Sequence, residues 1–76
     1  MTIQDEALSG KVRDALARDK RTGGQAIAVR VAQGEVLLKG IVDSEDQRDL
    51  AVLVARGIPG VRHVNADELR VREAAG

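Results

Sequence analysis

The residues best suited to bind an anion are the lysines and arginines around the end of the first predicted helix. Five of them fall within residues 11–21 against two aspartates, which leaves about three local positive charges. Each basic residue close to an anionic membrane contributes about 1 kcal/mol of attraction. The same pattern is typical of an ordinary helix C-terminus, where the helix dipole stabilises cations. The candidate contacts for lipid headgroups or other anions are Lys11, Arg18, Lys20 and Arg21.

A second group of residues offers apolar surface to a partner. Side chains in the run 26–42 alternate between two faces, and one phase places Leu37 and Ile41 on a face that the helices are not expected to cover. Exposed apolar strips often mark interaction sites. Single exposed aliphatic residues are nevertheless normal on any surface, so both interpretations stay open. The candidate interaction strip consists of Leu37, Ile41, Ala28, Arg30 and Lys39.

Catalytic and metal-binding chemistry finds little support in the residue types. The chain has no Cys and one His, His63, so it has no thiolate ligand, no cysteine nucleophile and no partner set for a triad. It has no aromatic residue on which bases could stack. Its net charge is zero, whereas nucleic-acid binding favours a basic chain. We therefore expect no enzymatic activity, no cofactor, no metal site and no nucleic-acid partner.

Five secondary-structure elements are predicted to position these residues. The helical spacing of Leu8, Val12 and Leu16 predicts a first helix over residues 5–18. The alternation from Ile27 to Val31 predicts a strand, and residues 35–42 are predicted to form its hairpin partner after a tight turn at residues 33–34. Gly40 lies in the core phase of that second strand, which predicts a helix packed too closely for a side chain.

The second half of the chain predicts a helix and a last strand. Ser44 and Gln47 have the spacing of a capping box, and Gly57 and Pro59 are expected to end the helix. The last strand is predicted over residues 61–72 and carries the apolar residues Val64, Leu69 and Val71. The buried face of this helix is predicted to contain Leu50, Ala51, Leu53, Val54 and Ile58.

The predicted order is α-β-β-α-β, and the predicted fold class is α+β. A strand–helix–strand connection favours a last strand parallel to the second, which gives a three-stranded mixed sheet. Both helices are expected to pack on one face, because one face must be covered to form a core. The length allows one domain over residues 1–76, with loose ends at 1–4 and 73–76.

The sequence also leads to an expectation about location. No apolar run approaches the roughly 20 residues that cross a bilayer. The first six residues are acidic, whereas a signal peptide begins with basic residues. We therefore expect a cytoplasmic protein without a transmembrane segment, whose contact with lipid is peripheral attachment to a membrane surface.

Several positions resemble the BON domain, a small bacterial module. They are the alternation Ile27-x-Val29-x-Val31, the run from Gly34 to Val42, the helix start at Ser44, and Pro59-Gly60-Val61. Against the family pattern, we expect a single copy without an export signal, and the sequence carries one extra residue between Val64 and Leu69. A β-bulge near residues 65–67 would absorb that residue. The structural signature positions are Gly34, Gly40, Pro59, Gly60 and Val61.

The resemblance implies a non-enzymatic α+β module that binds phospholipid membranes or other ligands, and it carries over no binding site. We therefore expect a non-catalytic module that docks to an anionic phospholipid surface or to a partner protein. One alternative is a cytoplasmic module that forms weak homo-oligomers or binds another protein through the interaction strip. Another alternative is a sensor of a small ion or metabolite.

Overall fold

Five elements follow one another in the computed structural model, which describes residues 3–72. The predicted order α-β-β-α-β is confirmed, as is the α+β class with a three-stranded mixed sheet. The loose ends predicted at residues 1–2 and 73–76 lie outside the described residues. The elements are α1 (Ile3–Arg18), β1 (Ala26–Ala32), β2 (Glu35–Val42), α2 (Glu45–Arg56) and β3 (His63–Val71).

The helix ends differ from the predicted ones in two details. Helix α1 begins at Ile3 rather than at Asp5, so Ile3 and Gln4 are helical rather than part of a loose end. At the start of α2, the Ser44 hydroxyl accepts a hydrogen bond from the backbone N–H of Gln47 at 3.2 Å. Among the described residues the Gln47 Oε1 atom has no hydrogen-bond partner, so only half of the predicted capping box forms.

Strand β2 occupies the centre of the sheet. It pairs with β1 in antiparallel register after a turn at Gln33 and Gly34, whose φ angles are 53° and 82°. These two positive angles match the twist of a two-residue hairpin, as the sequence predicted. Strand β3 pairs with β2 in parallel register on the other side. The parallel pairing predicted from the β2–α2–β3 connection is therefore confirmed.

The predicted β-bulge lies in β3. Leu37 pairs with Asn65 and Lys39 pairs with Glu68, so three steps along β3 correspond to two steps along β2. Because side chains alternate along a strand, the extra residue keeps Leu69 on the core face and Glu68 on the opposite face. The Arg48 guanidinium of α2 donates to the carbonyl oxygens of Ala66 at 3.1 Å and of Leu69 at 2.9 Å. Arg48 thus ties the bulged part of β3 to α2.

The core lies between the two helices and one face of the sheet. The predicted buried phases of α1, β1 and β2 are confirmed, but the prediction for α2 is wrong at Leu53, which is 64% exposed. Leu53 is two positions from both Ala51 and Ala55, about 160° around the helix from these buried residues. The buried apolar residues are Val12 and Leu16 of α1, Val31 of β1, Val36, Leu38 and Val42 of β2, Ala51 and Ala55 of α2, and Leu69 of β3.

Gly40 is required by the neighbouring strand, not by a helix as predicted. Its φ angle is 144°, a value that other residues rarely adopt. A Cβ atom added there would overlap the carbonyl oxygen of Ala26 and lie 3.3 Å from the Cα atom of Ile27. The close approach that the sequence indicated therefore occurs within the sheet, between the backbones of β1 and β2.

Candidate functional site

The turn that follows α1 brings together three of the four predicted anion contacts. The Thr22 hydroxyl, which is buried, donates to the carbonyl oxygen of Leu16 at 2.7 Å and folds the turn against the helix. The exposed residues Arg18, Lys20 and Arg21 lie at this end of the molecule. We call them the basic turn. Lys11 is also exposed, but it lies two turns back along α1, about 10 Å from Arg18 along the axis.

Two of the basic-turn residues already have carboxylate partners. The Arg18 Nη2 atom lies 3.2 Å from Oδ2 of Asp14, one helical turn earlier. Arg21 donates through Nε and Nη2 to the two carboxylate oxygens of Asp19, at 3.1 and 2.9 Å. These hydrogen bonds from Arg21 lower the pKa of Asp19 and raise the pKa of Arg21. Lys20, the third residue of the basic turn, has no such partner within residues 3–72 and is the cation of that turn most available to an external anion.

The interaction strip lies on the face of the sheet opposite to both helices. Ile41 is 52% exposed, and Leu37 is partly buried about 13 Å away on the same strand, with Lys39 between them. The antiparallel register places Ala28 next to Lys39 and Arg30 next to Leu37. We call this side of the sheet the open face. The five residues predicted for the strip therefore do form one continuous surface.

Strand β3 contributes residues to the open face that the sequence analysis did not identify. Glu68 pairs with Lys39 and Arg70 pairs with Ile41, and both are exposed. His63, at the start of β3, is 67% exposed, and its Nε2 atom lies 3.9 Å from a carboxylate oxygen of Glu35. The extra residue between Val64 and Leu69 was a signal for these positions, because the bulge determines which side of the sheet they occupy.

A second surface that the sequence analysis missed lies on the outer side of α2. Asp46, Asp49, Leu53 and Arg56 are exposed and are spaced by three, four and three residues. That spacing places them along one side of the helix, opposite the buried alanines. We call these four residues the α2 stripe. The signal was present in the helical period, but Leu53 was assigned to the buried face.

The signature positions connect the hairpin turn to the start of β3. The backbone N–H of Arg62 donates to the carbonyl oxygen of Gly34 at 2.8 Å. A Cβ atom on Gly34 would lie 2.7 Å from Cγ of Arg62, so the arginine side chain requires a glycine beneath it. Pro59, Gly60 and Val61 form the connection that leads into this contact. These residues therefore position the hairpin turn against the start of β3.

The described part of the chain, residues 3–72, has neither a cluster of metal-ligating residues nor a helix that could span a membrane. No three His, Asp or Glu residues in it are grouped as a metal site would require. Over the same residues, no helix is long and apolar enough to cross a bilayer. What the geometry provides is three surfaces: the basic turn, the open face and the α2 stripe. Each is exposed and suited to contact with a larger partner.

Comparison with known proteins identifies a family. A family model described as the BON domain matches residues 4–73. The chain is 39% identical over 72 residues to osmotically-inducible protein Y of Escherichia coli (strain K12), a match that covers 95% of this chain and 35% of that protein. It is 36% identical over 63 residues to outer membrane lipoprotein DolP of Haemophilus influenzae, which covers 82% of this chain and 33% of that protein. The chain thus spans about a third of the length of these bacterial relatives.

A solved structure shares the fold. The C-terminal domain of CdsD, a structural protein of the type III secretion system of Chlamydia trachomatis, aligns with a TM-score of 0.71 at 17% identity. The alignment covers 91% of this chain and 34% of that one. At this identity the similarity establishes the fold alone. The relatives do not support the predicted cytoplasmic location, since one of them is an outer membrane lipoprotein.

Proposed function

Because this chain belongs to the BON domain family, we propose that it is a non-catalytic docking module that attaches to anionic phospholipid surfaces through the basic turn. The observation that carries this proposal is the clustering of three exposed cations, Arg18, Lys20 and Arg21, where α1 ends. The similarity to an outer membrane lipoprotein supports a role at a membrane surface.

The charges around the basic turn predict weak attachment. Five basic residues and two aspartates lie within residues 11–21, and two of the arginines are paired with those aspartates. At about 1 kcal/mol for each net charge, the attraction is at most about 3 kcal/mol, and two of the three net charges come from Lys11 and Arg13, farther back along α1. Counterions screen such exposed charges over about 10 Å at 0.1 M salt. Attachment is therefore expected to weaken strongly between low and physiological salt.

The test is co-sedimentation with vesicles of phosphatidylglycerol and phosphatidylcholine at low and physiological salt. The variant Lys20→Glu/Arg21→Glu is expected to lose binding at both. A matched control, Lys39→Glu/Arg70→Glu, makes the same change in net charge on the open face. This variant is expected to keep most of its vesicle binding. Equal losses in the two variants would show that net charge, not the basic turn, controls attachment, and unchanged binding in the first variant would contradict the proposal directly.

A second candidate function, protein docking on the open face, is favoured by the exposure of Ile41. Ile41 is 52% exposed and gives the central strand of a small domain an uncovered apolar side chain. Arg30, Lys39 and Arg70 lie on the same face and carry charge that orients a partner. This docking face is separate from the basic turn, so one copy can use both surfaces at the same time.

A further inference from the structure

We propose that copies of this chain associate head to tail, with the α2 stripe of one copy lying on the open face of the next. This inference rests on the second candidate function and names its occupant as a second copy. Three large apolar side chains in the described chain are exposed: Ile3, Ile41 and Leu53. Ile41 lies on the central strand of the open face, near the end of β2, and Leu53 lies within the α2 stripe between Asp49 and Arg56.

These two surfaces lie on opposite sides of the molecule. Helix α2 contacts the sheet through Ala51 and Ala55, so Leu53 points away from the sheet. The open face is the other side of the same sheet. A copy therefore cannot bring its own Leu53 to its own Ile41, whereas a neighbouring copy can.

The charges of the two surfaces complement each other. The outer side of α2 carries Asp46 and Asp49 near its N-terminal end and Arg56 at its C-terminal end. Glu45 adds a third carboxylate beside them. The open face carries the three cations Arg30, Lys39 and Arg70 against the two carboxylates Glu35 and Glu68. Opposite net charges favour contact between unlike surfaces over contact between two copies of the same one.

The dimensions of the surfaces also match. A helix with its side chains is about 10–12 Å wide, and three strands spaced at about 4.8 Å offer a similar width. With Leu53 over Ile41, Asp49 lies about 6 Å along the helix axis from that contact. Lys39 lies about 6.6 Å from Ile41 along β2, and Arg70 about 4.8 Å away on β3. Asp49 is thus within reach of either cation.

Association through two different surfaces has a defined consequence. In a growing assembly, the copy at one end has an unused α2 stripe and the copy at the other end has an unused open face. The contact therefore produces chains, or rings if the rotation between copies closes. The patch is small for a stable interface, so we expect a dissociation constant nearer to 1 mM than to 1 µM. The zero net charge of the chain adds no overall repulsion between copies.

The experiment uses two variants, Leu53→Asp and Ile41→Asp, in sedimentation velocity up to about 1 mM. Interference optics are needed, because the chain has no Trp or Tyr to absorb at 280 nm. The wild type is expected to increase in average mass with concentration, and each variant alone is expected to stay monomeric. An equimolar mixture is expected to form dimers and nothing larger, because only the intact stripe of one variant and the intact face of the other can pair.

Controls separate surface effects from unfolding. Ile3→Asp changes the third exposed aliphatic residue and is expected to associate like the wild type. Ile41→Thr keeps a β-branched residue on the central strand, so its loss of association cannot be assigned to a damaged sheet. Circular dichroism of every variant checks the fold.

Each result contrary to expectation has a distinct meaning. A wild type that stays monomeric up to 1 mM would overturn the inference while leaving docking of a different protein on the open face to be tested by itself. Association of Leu53→Asp at wild-type strength, with loss in Ile41→Asp, would mean that two open faces pair with each other. Full association of Ile41→Asp would remove both this inference and the open face as the surface for self-association.

Discussion

Replacing Arg48 with methionine tests whether α2 holds the bulged part of β3 in place. The arginine donates two charge-assisted hydrogen bonds, to Ala66 and Leu69 carbonyl oxygens at 3.1 and 2.9 Å. A hydrogen bond to a charged group contributes about 1.5–3 kcal/mol. Both hydrogen bonds are only partly buried, so water compensates part of their loss, and we assign the pair the value of about one such bond, roughly 2 kcal/mol. Methionine keeps the apolar part of the side chain, so packing losses stay small.

The expected loss is large for a domain of this size. A core of fewer than about 80 residues rarely provides more than about 3–5 kcal/mol of net stability. Each kcal/mol corresponds to about 4–8 °C in Tm for 60–100 residues, so Arg48→Met is expected to lower Tm by about 8–16 °C. The assay is urea unfolding followed by circular dichroism, with a thermal scan. The stability of Arg48→Lys is expected to lie between those of the wild type and Arg48→Met, because one ammonium does not span both carbonyl groups as a guanidinium does.

Arg56→Met is the matched control for Arg48→Met. Arg56 lies on the same helix and is exposed, and its side chain has no hydrogen bond to another described residue. Its loss is expected to cost a few tenths of a kcal/mol through the helix dipole. If Arg48→Met and Arg56→Met differ by less than 0.5 kcal/mol, roughly the spread of neutral surface substitutions, the hydrogen bonds to β3 do not stabilise the bulge. An additional readout is the amide spectrum, in which residues 65–69 are expected to shift most.

Two further predictions follow from the described contacts. Gly40→Ala is expected to destabilise the fold by about 2 kcal/mol or more, because it combines an unfavourable φ with an overlap at Ala26. Gly10→Ala lies inside α1 with open space around it and is expected to stabilise the fold by about 0.5–1 kcal/mol. Equal urea midpoints for the two variants would contradict the close approach of β1 and β2 at Gly40. Asp19 is expected to titrate below the usual range for its carboxyl because Arg21 donates to it, so its small stabilising contribution is present above the pKa of the unfolded chain and is lost as pH falls through the folded pKa. Arg21→Met is expected to raise that pKa in carboxyl carbon NMR, and an unmoved midpoint would count against the pair.

The alternation of apolar residues was enough to predict both strands of the hairpin and the face each presents to the core. Ile27, Val29 and Val31 can share one side only if the backbone is extended, so the alternation of apolar residues predicts both the strand and its buried face. The pattern was less decisive in α2. Residues 50–55 are all apolar, so a period of 3.6 cannot select the buried side, and contacts with the sheet place Ala51 and Ala55 inwards.

The candidate surfaces were predicted in part, for similar reasons. The strip from Leu37 to Ile41 follows from strand alternation alone. Arg70 and Glu68 could not be assigned to the same face, because their side depends on where the extra residue of β3 lies. The pairing of Arg21 with Asp19 depends on the turn after α1, whose conformation a glycine-containing sequence does not define. Gly40 indicated a close approach correctly, but a single residue cannot identify the neighbour.

The position of β2 between a near partner and a distant one has a consequence for the order of folding. Strand β1 reaches β2 through a two-residue turn, whereas β3 reaches it only after a connection of about 20 residues. Loop closure costs entropy before distant contacts form, so the hairpin forms early and β3 docks late. A chain that has released β3 presents β2 as an unpaired edge, on which the β3 of another copy can add. The connection that completes the sheet is therefore also the place where two chains can exchange a strand.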